Sequence, residues 1–282
     1  MQMDIKHSIG LVTAIASDFH LGRYYCRIRT LLPFMRRLQC NRLVINGDGI
    51  DLIELPQWAL PSPGANFVGQ LESRAAQILP PSHYAVLQTV RIMAESGIDV
   101  IWVAGNHDAE FRNHFGEKFF GATLVDRVSM EMPDGKKALI THGDQFDVRI
   151  HAKNLHSWMW DRAFFMCMRA DVIQNAMTDA LKLPRFSLPK FLRRDLGIGQ
   201  SLLNDFRARM TEYAAQTKHD VIMCGHIHEP EDASDGHVRR INSGDFTESN
   251  SFAEIGRDGE INVYELPPAV KIWPPAKQKA RC

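Results

Sequence analysis

Five short apolar runs in this chain are each followed at once by Asp, His or Asn, which are side chains that bind divalent cations. Each run is rich in Val, Ile, Leu or Ala, and each ends at a turn-like cluster of Gly, Asp, Asn or His. The chain therefore carries metal-competent residues after five candidate strands. The runs and the residues that follow them are 10–16 with Asp18 and His20, 42–45 with Asp48 and Asp51, 99–104 with Asn106, His107 and Asp108, 138–141 with His142, Asp144 and Asp147, and 220–224 with His226 and His228.

Asp48 is the residue best suited to serve two cations at once. A carboxylate has two oxygens and can bridge two ions, while neutral imidazoles and an amide oxygen complete the sites without excess negative charge. Two divalent ions about 3.5–4 Å apart can clamp a phosphoryl group and stabilise the attacking and leaving oxygens of an in-line displacement. These residue types therefore predict hydrolysis of a phosphoester or phosphoanhydride.

Each motif alone has a simpler explanation. An Asp-x-His pair or a Gly-Asn turn is more often a turn with a solvated histidine than a metal site. The Gly-His-Ile-His segment at 225–228 is more specific, although two surface histidines remain an alternative reading of it alone. Five ligand-bearing loops in order, each after an apolar run, favour the metal site over these separate explanations.

The elements that must position these loops alternate between strand-like and helix-like patterns. Residues 82–96 predict a helix with Ser82 as its N-cap and Gly97 as its stop. Alternation of this kind predicts an α/β core, in which the carboxyl ends of the strands open onto one crevice. Two hairpins are predicted at 128–140 and 252–264, with turns at Pro-Asp-Gly and Asp-Gly.

The remaining segments predict an insertion and a tail. Residues 149–216 show no strand pattern and predict a helical insertion in a domain spanning 1–266, whereas 267–282 predict a flexible basic tail. Within the insertion, 158–168 is almost wholly apolar, and 149–195 holds nine Lys or Arg against four Asp. The apolar stretch either packs on the core or forms a lid over acyl chains; a basic, apolar insertion suits an anionic membrane or a nucleotide diphosphate, although a solvated face has the same composition.

The composition excludes several classes of protein. Lys+Arg and Asp+Glu both number 33 in 282 residues, so the chain lacks the positive charge of a dedicated nucleic-acid binder. Five scattered cysteines without a Cys-x-x-Cys pair indicate reduced thiols rather than a disulfide framework. Without a signal-peptide pattern or about 18 consecutive apolar residues, we expect a cytoplasmic protein that does not span a membrane.

The ordered motifs DFH, GDGID, GNHD, HGD and GHIH, from Asp18 to His228, resemble those of the calcineurin-like metallophosphoesterase superfamily. This resemblance implies a two-sheet α/β sandwich flanked by helices, and two divalent ions, with Mn expected and Fe or Zn as alternatives. It further implies that His107 contacts the phosphoryl group or protonates the leaving group, with Asp108 orienting its ring. The implied ligands are Asp18, His20, Asp48 and His228 for one ion, and Asp48, Asn106, His142 and His226 for the other.

A closer resemblance is to the branch that contains UDP-2,3-diacylglucosamine diphosphatase. The HGDQFD segment, the Asn-Ser-Gly-Asp segment at 242–245 and an insertion before GHIH look like that branch, which acts in lipid A synthesis at the inner membrane face. His107 departs from the arginine characteristic of the branch. The resemblance implies a lipid-linked nucleotide sugar as substrate and peripheral membrane contact, with Asp147, Trp158 and Phe165 as candidate substrate contacts.

Two alternatives stay open at this point. GNHD is equally compatible with a soluble phosphomonoesterase or phosphodiesterase acting on nucleotides or nucleic acid. A non-catalytic scaffold of the same superfamily is the third reading, but such a scaffold has no need of ligands, and every implied ligand is present here.

Overall fold

The computed structural model describes residues 1–56, 58–64, 66–148 and 200–267. Most of the predicted insertion and nearly all of the predicted tail lie outside these ranges. The domain boundaries of the sequence analysis therefore remain predictions.

The described residues form two β-sheets of mixed strand direction, flanked by helices, as the sequence predicts. The first sheet has seven strands in the order β13-β12-β2-β3-β4-β6-β5, and β2, β3, β4 and β6 run parallel to one another. Its strands are β2 (Thr13–Ala16), β3 (Arg42–Asn46), β4 (Asp99–Val103), β5 (Lys118–Phe119), β6 (Ala122–Val125), β12 (Ser251–Ile255) and β13 (Ile261–Glu265).

The second sheet has six strands in the order β1-β7-β8-β9-β11-β10. Strands β8 and β9 are parallel, and β9 is also parallel to β11, so this sheet too has neighbouring carboxyl ends. Its strands are β1 (Gln2–Lys6), β7 (Arg127–Glu131), β8 (Lys137–Ile140), β9 (Val221–Cys224), β10 (Glu231–Ser234) and β11 (Arg239–Asn242).

Four α-helices are described: α1 (Ile28–Arg37), α2 (Phe67–Ile78), α3 (Pro81–Glu95) and α4 (Gln200–Gln216), together with short 3₁₀ helices at Ala109–His114 and Asp144–Phe146. Helix α1 runs through Pro33, which lies on its exposed side. Helix α4 is the described end of the predicted insertion.

Apolar burial accounts for the layered arrangement. One cluster, including Ile15, Val103 and Ile140, fills the space between the two sheets. A second, including Leu31 and Trp102, lies between the seven-stranded sheet and helices α1–α3. A third packs α4 on the six-stranded sheet. The central strands are buried on both faces, which is why they are continuous apolar runs in the sequence.

The structure differs from the predicted elements in one helix cap and in several strands. Ser82 is not the N-cap of α3, because the helix starts at Pro81 with Pro80 at the cap position; proline suits the first turn, where its missing N–H has no helical partner. Strands β5, β6, β10 and β11 were not predicted, and neither was β1, whose residues alternate between exposed and half-buried at a sheet edge and form no apolar run.

The carboxyl ends of strands from both sheets meet along one edge of the sandwich. The Ser17 hydroxyl, after β2, lies 2.8 Å from that of Ser243, after β11. The side-chain amide of Asn46, at the end of β3, donates to the carbonyl of Thr141, after β8, over 3.1 Å. Buried hydrogen bonds therefore hold together the strand ends from which the candidate ligands project.

Candidate metal centre

The candidate ligands from all five loops come together at this edge. Three overlapping groups each place three ligand atoms within 4.8 Å of one another, and Asp48 and His20 each occur in two groups. The groups are Asp18, His20 and His228; Asp48, His142 and His226; and His20, Asp48 and His107. The first of these is part of one predicted ligand set, and the second is part of the other.

Asp48 lies between the two sets of ligands. Its Oδ2 is 3.3 Å from Nε2 of His142 and 3.8 Å from Nε2 of His20. Its Oδ1 accepts a hydrogen bond of 2.8 Å from the backbone N–H of His107, which fixes the carboxylate plane. One oxygen of Asp48 therefore faces histidines of both sets, as a bridging ligand must.

Asn106 joins the second set. Its Oδ1 is 3.1 Å from Nε2 of His142, so an amide oxygen and an imidazole nitrogen face the same position. An amide oxygen is a neutral donor that divalent cations accept.

Three of the histidines have their rings fixed from behind. Nδ1 of His142 donates to the carbonyl of Asn46 over 2.9 Å, which leaves Nε2 as its ligand atom. Nδ1 of His228 lies 3.1 Å from Oδ2 of Asp245, and its Nε2 is 3.3 Å from Oδ1 of Asp18. Nδ1 of His20 lies 3.4 Å from a carboxylate oxygen of Asp51, and Nε2 again faces the site.

His226 is oriented the opposite way round. Its Nε2 lies 3.0 Å from Oδ2 of Asp147, so Nδ1 is the nitrogen left for a cation. Asp147 is buried behind this histidine, which corrects its predicted role as a substrate contact. Trp158 and Phe165, the other predicted substrate contacts, lie outside the described residues.

The candidate ligands adopt unfavourable backbone conformations. Non-glycine residues rarely take a positive φ, and each such residue costs about 1–3 kcal/mol of conformational energy. Strain of this kind is typical of functional sites and persists where the surrounding structure enforces it. Five of the ligands have φ between 48° and 65°: Asp18, His20, Asp48, His226 and His228.

Glycines make room for these side chains. A Cβ on Gly47 would lie 2.2 Å from the His142 ring, and one on Gly105 would lie 2.2 Å from Oδ1 of Asp48. A Cβ on Gly225 would lie 2.4 Å from Oδ2 of Asp18. The glycines of the motifs therefore serve close packing against ligands as well as turn formation.

Unsatisfied buried polar atoms at the site fit a bound divalent cation. Oδ1 of Asp18 and Nε2 of His20 are buried and have no hydrogen-bond partner, although the two atoms are only 4.0 Å apart. Leaving such atoms unsatisfied costs about 1–3 kcal/mol each. A cation at this position satisfies both, and carboxylate, imidazole and amide donors suit Mn, Fe or Zn.

The electrostatics of the site reflect its concentration of carboxylates. Burial favours the neutral acid, but the neighbouring histidines His142, His107 and His20 outweigh it and hold the pKa of Asp48 well below its usual value. Burial likewise opposes protonation of His142, yet the charges of Asp48 and Asp18 raise the pKa of His142 to about 10. The centre therefore stabilises positive charge.

The structure pairs His107 with Asp51 rather than with the predicted Asp108. Nδ1 of His107 lies 3.0 Å from Oδ2 of Asp51. Burial lowers the pKa of His107, but Asp48 and Asp51 outweigh this effect and raise it to about 9. His107 keeps 18% of its side chain exposed, so its ring reaches the mouth of the site.

The predicted role of Asp108 is wrong, because its carboxylate points into the core. It accepts hydrogen bonds from the indole N–H of Trp102 at 2.9 Å and from the backbone N–H groups of Gly49 at 3.0 Å and Gly105 at 2.5 Å. Asp108 therefore ties the loop of Asp48 to the loop of Asn106.

Sequence reasoning missed the supporting roles of Asp51 and Asp245. Both residues stand in motifs that the sequence displays, GDGID and Asn-Ser-Gly-Asp. The sequence feature that points to Asp51 is its position three residues after Asp48, because a turn at this spacing places a second carboxylate next to the site. Asp245 is organised by its own loop, since it accepts the backbone N–H groups of residues 247–249.

Comparison with known proteins agrees with this geometry. A family model described as calcineurin-like phosphoesterase matches residues 11–230. The chain belongs to the calcineurin-like phosphoesterase family. Within it, the Asp and His clusters described above make this protein a metal-dependent phosphoester hydrolase.

Solved structures show more distant similarity. An archaeal phosphodiesterase is 15% identical over 91% of this chain and 100% of its own, with a TM-score of 0.39. The Escherichia coli phosphoesterase YfcE is 17% identical over 92% and 100%, with a TM-score of 0.41. A Vps29 variant from Entamoeba histolytica is 11% identical over 91% and 100%, with a TM-score of 0.38. Similarity this weak supports no conclusion about substrate or partner.

No curated protein matches the chain. Within the described ranges, no helix has the length and apolar character needed to cross a bilayer.

Proposed function

We propose that this protein is a dinuclear phosphohydrolase that cleaves the diphosphate of a lipid-linked nucleotide sugar such as UDP-2,3-diacylglucosamine. The observation that carries the dinuclear part is Asp48, whose Oδ2 faces His20 and His142 from two ligand groups. Two divalent ions bound there would polarise the phosphoryl oxygens and activate water.

The protein's own side chains have distinct tasks in this proposal. One ion would be held by Asp18, His20, Asp48 and His228, and the other by Asp48, Asn106, His142 and His226. Asp51, Asp147, Asp245 and the Asn46 carbonyl fix the histidine rings, so little reorganisation accompanies binding.

His107 is the proton donor to the leaving group. Its ring lies at the mouth, 4.6 Å from the His20 ring between centroids, and Asp51 holds its Nδ1. A proton on the ring can then pass to the oxygen that departs from phosphorus, and the carboxylate of Asp51 stabilises the charged ring before this transfer.

The lipid-linked substrate is supported by sequence features and by their place in the structure. HGDQFD brings Asp147 onto His226, and the Asn-Ser-Gly-Asp segment brings Asp245 onto His228. In the sequence, the apolar and basic segment at 149–195 follows HGDQFD directly and precedes the Asn-Ser-Gly-Asp segment.

The direct test is to offer purified protein UDP-2,3-diacylglucosamine with Mn²⁺ and to measure UMP and the acylated sugar phosphate. Replacing Trp158 and Phe165 with Ser is expected to reduce this activity far more than hydrolysis of a short phosphodiester. If UMP does not form while a generic phosphodiester is cleaved, the lipid-linked substrate is wrong. Equal loss of both activities would instead give the two residues a role in the core.

The second candidate is a phosphomonoesterase or phosphodiesterase of nucleotides or nucleic acid. The observation that favours it is His107, which stands where the lipid-sugar branch has arginine. Its ring is paired with the carboxylate of Asp51, as a proton-donating histidine requires. Hydrolysis of nucleotides that is unaffected by added acylated sugar would favour this function.

A further inference from the structure

Ile53 lies at the tip of a short turn beside His107. The backbone N–H of Leu52 donates to the carbonyl of His107 over 2.9 Å, and the backbone N–H of Glu54 donates to Oδ1 of Asp51 over 3.2 Å. Oε2 of Glu54 also lies 3.0 Å from Nη1 of Arg23. Both neighbours of Ile53 are therefore tied to the catalytic side of the fold, and the position of Ile53 is fixed by them.

The side chain of Ile53 nevertheless faces outward. It is 63% exposed, whereas Leu52 before it is buried. A single exposed isoleucine needs no explanation by itself. The position of Ile53 is what matters, because the turn that presents it also carries Asp51, whose carboxylate lies against the His107 ring.

Tyr24 is a second exposed apolar residue of this region, next to Arg23 in the chain. Its ring centroid is 5.9 Å from Cζ of Arg23 and 5.2 Å from the ring of Tyr25, and Tyr25 in turn packs 5.6 Å from the His20 ring. Tyr24 is 49% exposed. Tyr24 is next to Arg23 in the chain, and Ile53 is next to Glu54, whose carboxylate binds Arg23, so the Arg23–Glu54 ion pair links the two exposed residues.

We propose that Ile53 and Tyr24 form a leaving-group subsite, which binds the apolar or aromatic portion of the departing group. This inference rests on the proposed role of His107. A water oxygen forms the new bond to phosphorus, and the old bond to the leaving oxygen breaks with its electron pair remaining on that oxygen. The oxygen takes the proton of His107, and water supplies the proton that restores it. In this proposal the group that carries this oxygen lies beside His107 and over the turn that presents Ile53, toward Tyr24.

The chain offers a matched control for each residue. Ile92 on α3 is also 63% exposed, and Tyr264 on β13 is 41% exposed, but neither lies on the loops of the site. Ile92→Ser removes the same exposed apolar side chain as Ile53→Ser, and Tyr264→Ser the same as Tyr24→Ser. The control substitutions therefore change surface hydrophobicity without changing the proposed subsite.

The test compares methyl phenyl phosphate with methyl 2-naphthyl phosphate, whose leaving alcohols have similar acidity but different apolar area, with Mn²⁺ added. We expect the wild type to prefer the naphthyl ester, and Ile53→Ser or Tyr24→Ser to reduce that preference by about threefold or more, mainly through KM. Ile92→Ser and Tyr264→Ser should leave the ratio unchanged.

The possible outcomes separate the two levels of the proposal. If the wild type hydrolyses neither these esters nor UDP-2,3-diacylglucosamine with Mn²⁺, Fe²⁺ or Zn²⁺, the proposed catalytic roles fail. If both esters are cleaved and Ile53→Ser leaves their ratio at the wild-type value, the leaving-group subsite is wrong. An equal loss on both esters together with a lower unfolding temperature would show that another part of this chain covers Ile53, which also overturns the subsite.

Discussion

Asp51 and His107 form an ion pair, with Oδ2 of the carboxylate 3.0 Å from Nδ1 of the imidazole. The same oxygen lies 3.4 Å from Nδ1 of His20, and the carboxylate is fully buried. One side chain outside the candidate ligand set therefore orients both a proton donor and a ligand.

We expect Asp51→Asn to slow turnover even when added metal saturates both sites, because the amide cannot stabilise a charged His107 ring. The loss should approach that of His107→Ala, which we expect to be about 10²–10⁴-fold. Both variants should lose most on esters of weakly acidic alcohols, which depend on a proton donor. The measurement is kcat over a leaving-group series, together with metal content.

Asp99→Asn is the control for this prediction, because Asp99 forms an ion pair with Arg42 but stands at the start of β4, away from the site. The double variant Asp51→Asn with His107→Ala should be no slower than His107→Ala alone, since the two residues act as a unit. Additive losses would mean that Asp51 acts mainly through His20.

Asp48→Ala should abolish hydrolysis and remove both ions, because Asp48 belongs to both proposed sites. Metal content by elemental analysis checks this outcome. The control is Asp134→Ala, in the hairpin turn that precedes β8. Asp134 lies at the end of β8 away from His142, so this variant should keep full metal content and activity. Near-normal metal content in Asp48→Ala would contradict the bridging role.

Gly47→Ala should reduce metal binding and activity, because a methyl group there lies 2.2 Å from the His142 ring. Gly135→Ala is a close match, since the φ angles are 85° and 83° and nothing lies within 4 Å of a Cβ at Gly135. Both substitutions strain the backbone, but only the first displaces a ligand. Equal effects on metal affinity would leave no role for the contact with His142.

Asp245→Asn should weaken metal binding about 10- to 100-fold, the range typical of outer partners of a metal-bound histidine. Asp235→Asn is its control, because Asp235 also organises a turn by accepting two backbone N–H groups at 3.0 Å but touches no candidate ligand. Competition with a chelator measures the affinity. An equal decrease in both variants would reduce Asp245 to a loop-forming role.

The sequence predicts β2, β3, β4, β8 and β9, because buried parallel strands are continuous apolar runs. It also predicts that the candidate ligands after these strands lie at one edge, because the carboxyl ends converge. It does not predict β1, whose residues alternate along an edge. Nor does it assign the partner of His107. Asp108 is adjacent in sequence, yet its side chain turns toward Trp102, while Asp51 arrives from a different loop. Such pairings depend on side-chain direction at strand ends, which a sequence pattern leaves undetermined.

The left-handed backbone at five ligand positions lowers the stability of the fold at residues that the metal centre requires. Glycine adopts this conformation without the steric penalty, so Asp18→Gly or His226→Gly relieves strain and, at Asp18, also removes a buried charge. The substitutions that most readily improve the fold at these positions are therefore the ones that destroy the metal centre. Chains in this lineage that lose selection for hydrolysis should drift toward glycine there and become more resistant to unfolding as their activity disappears.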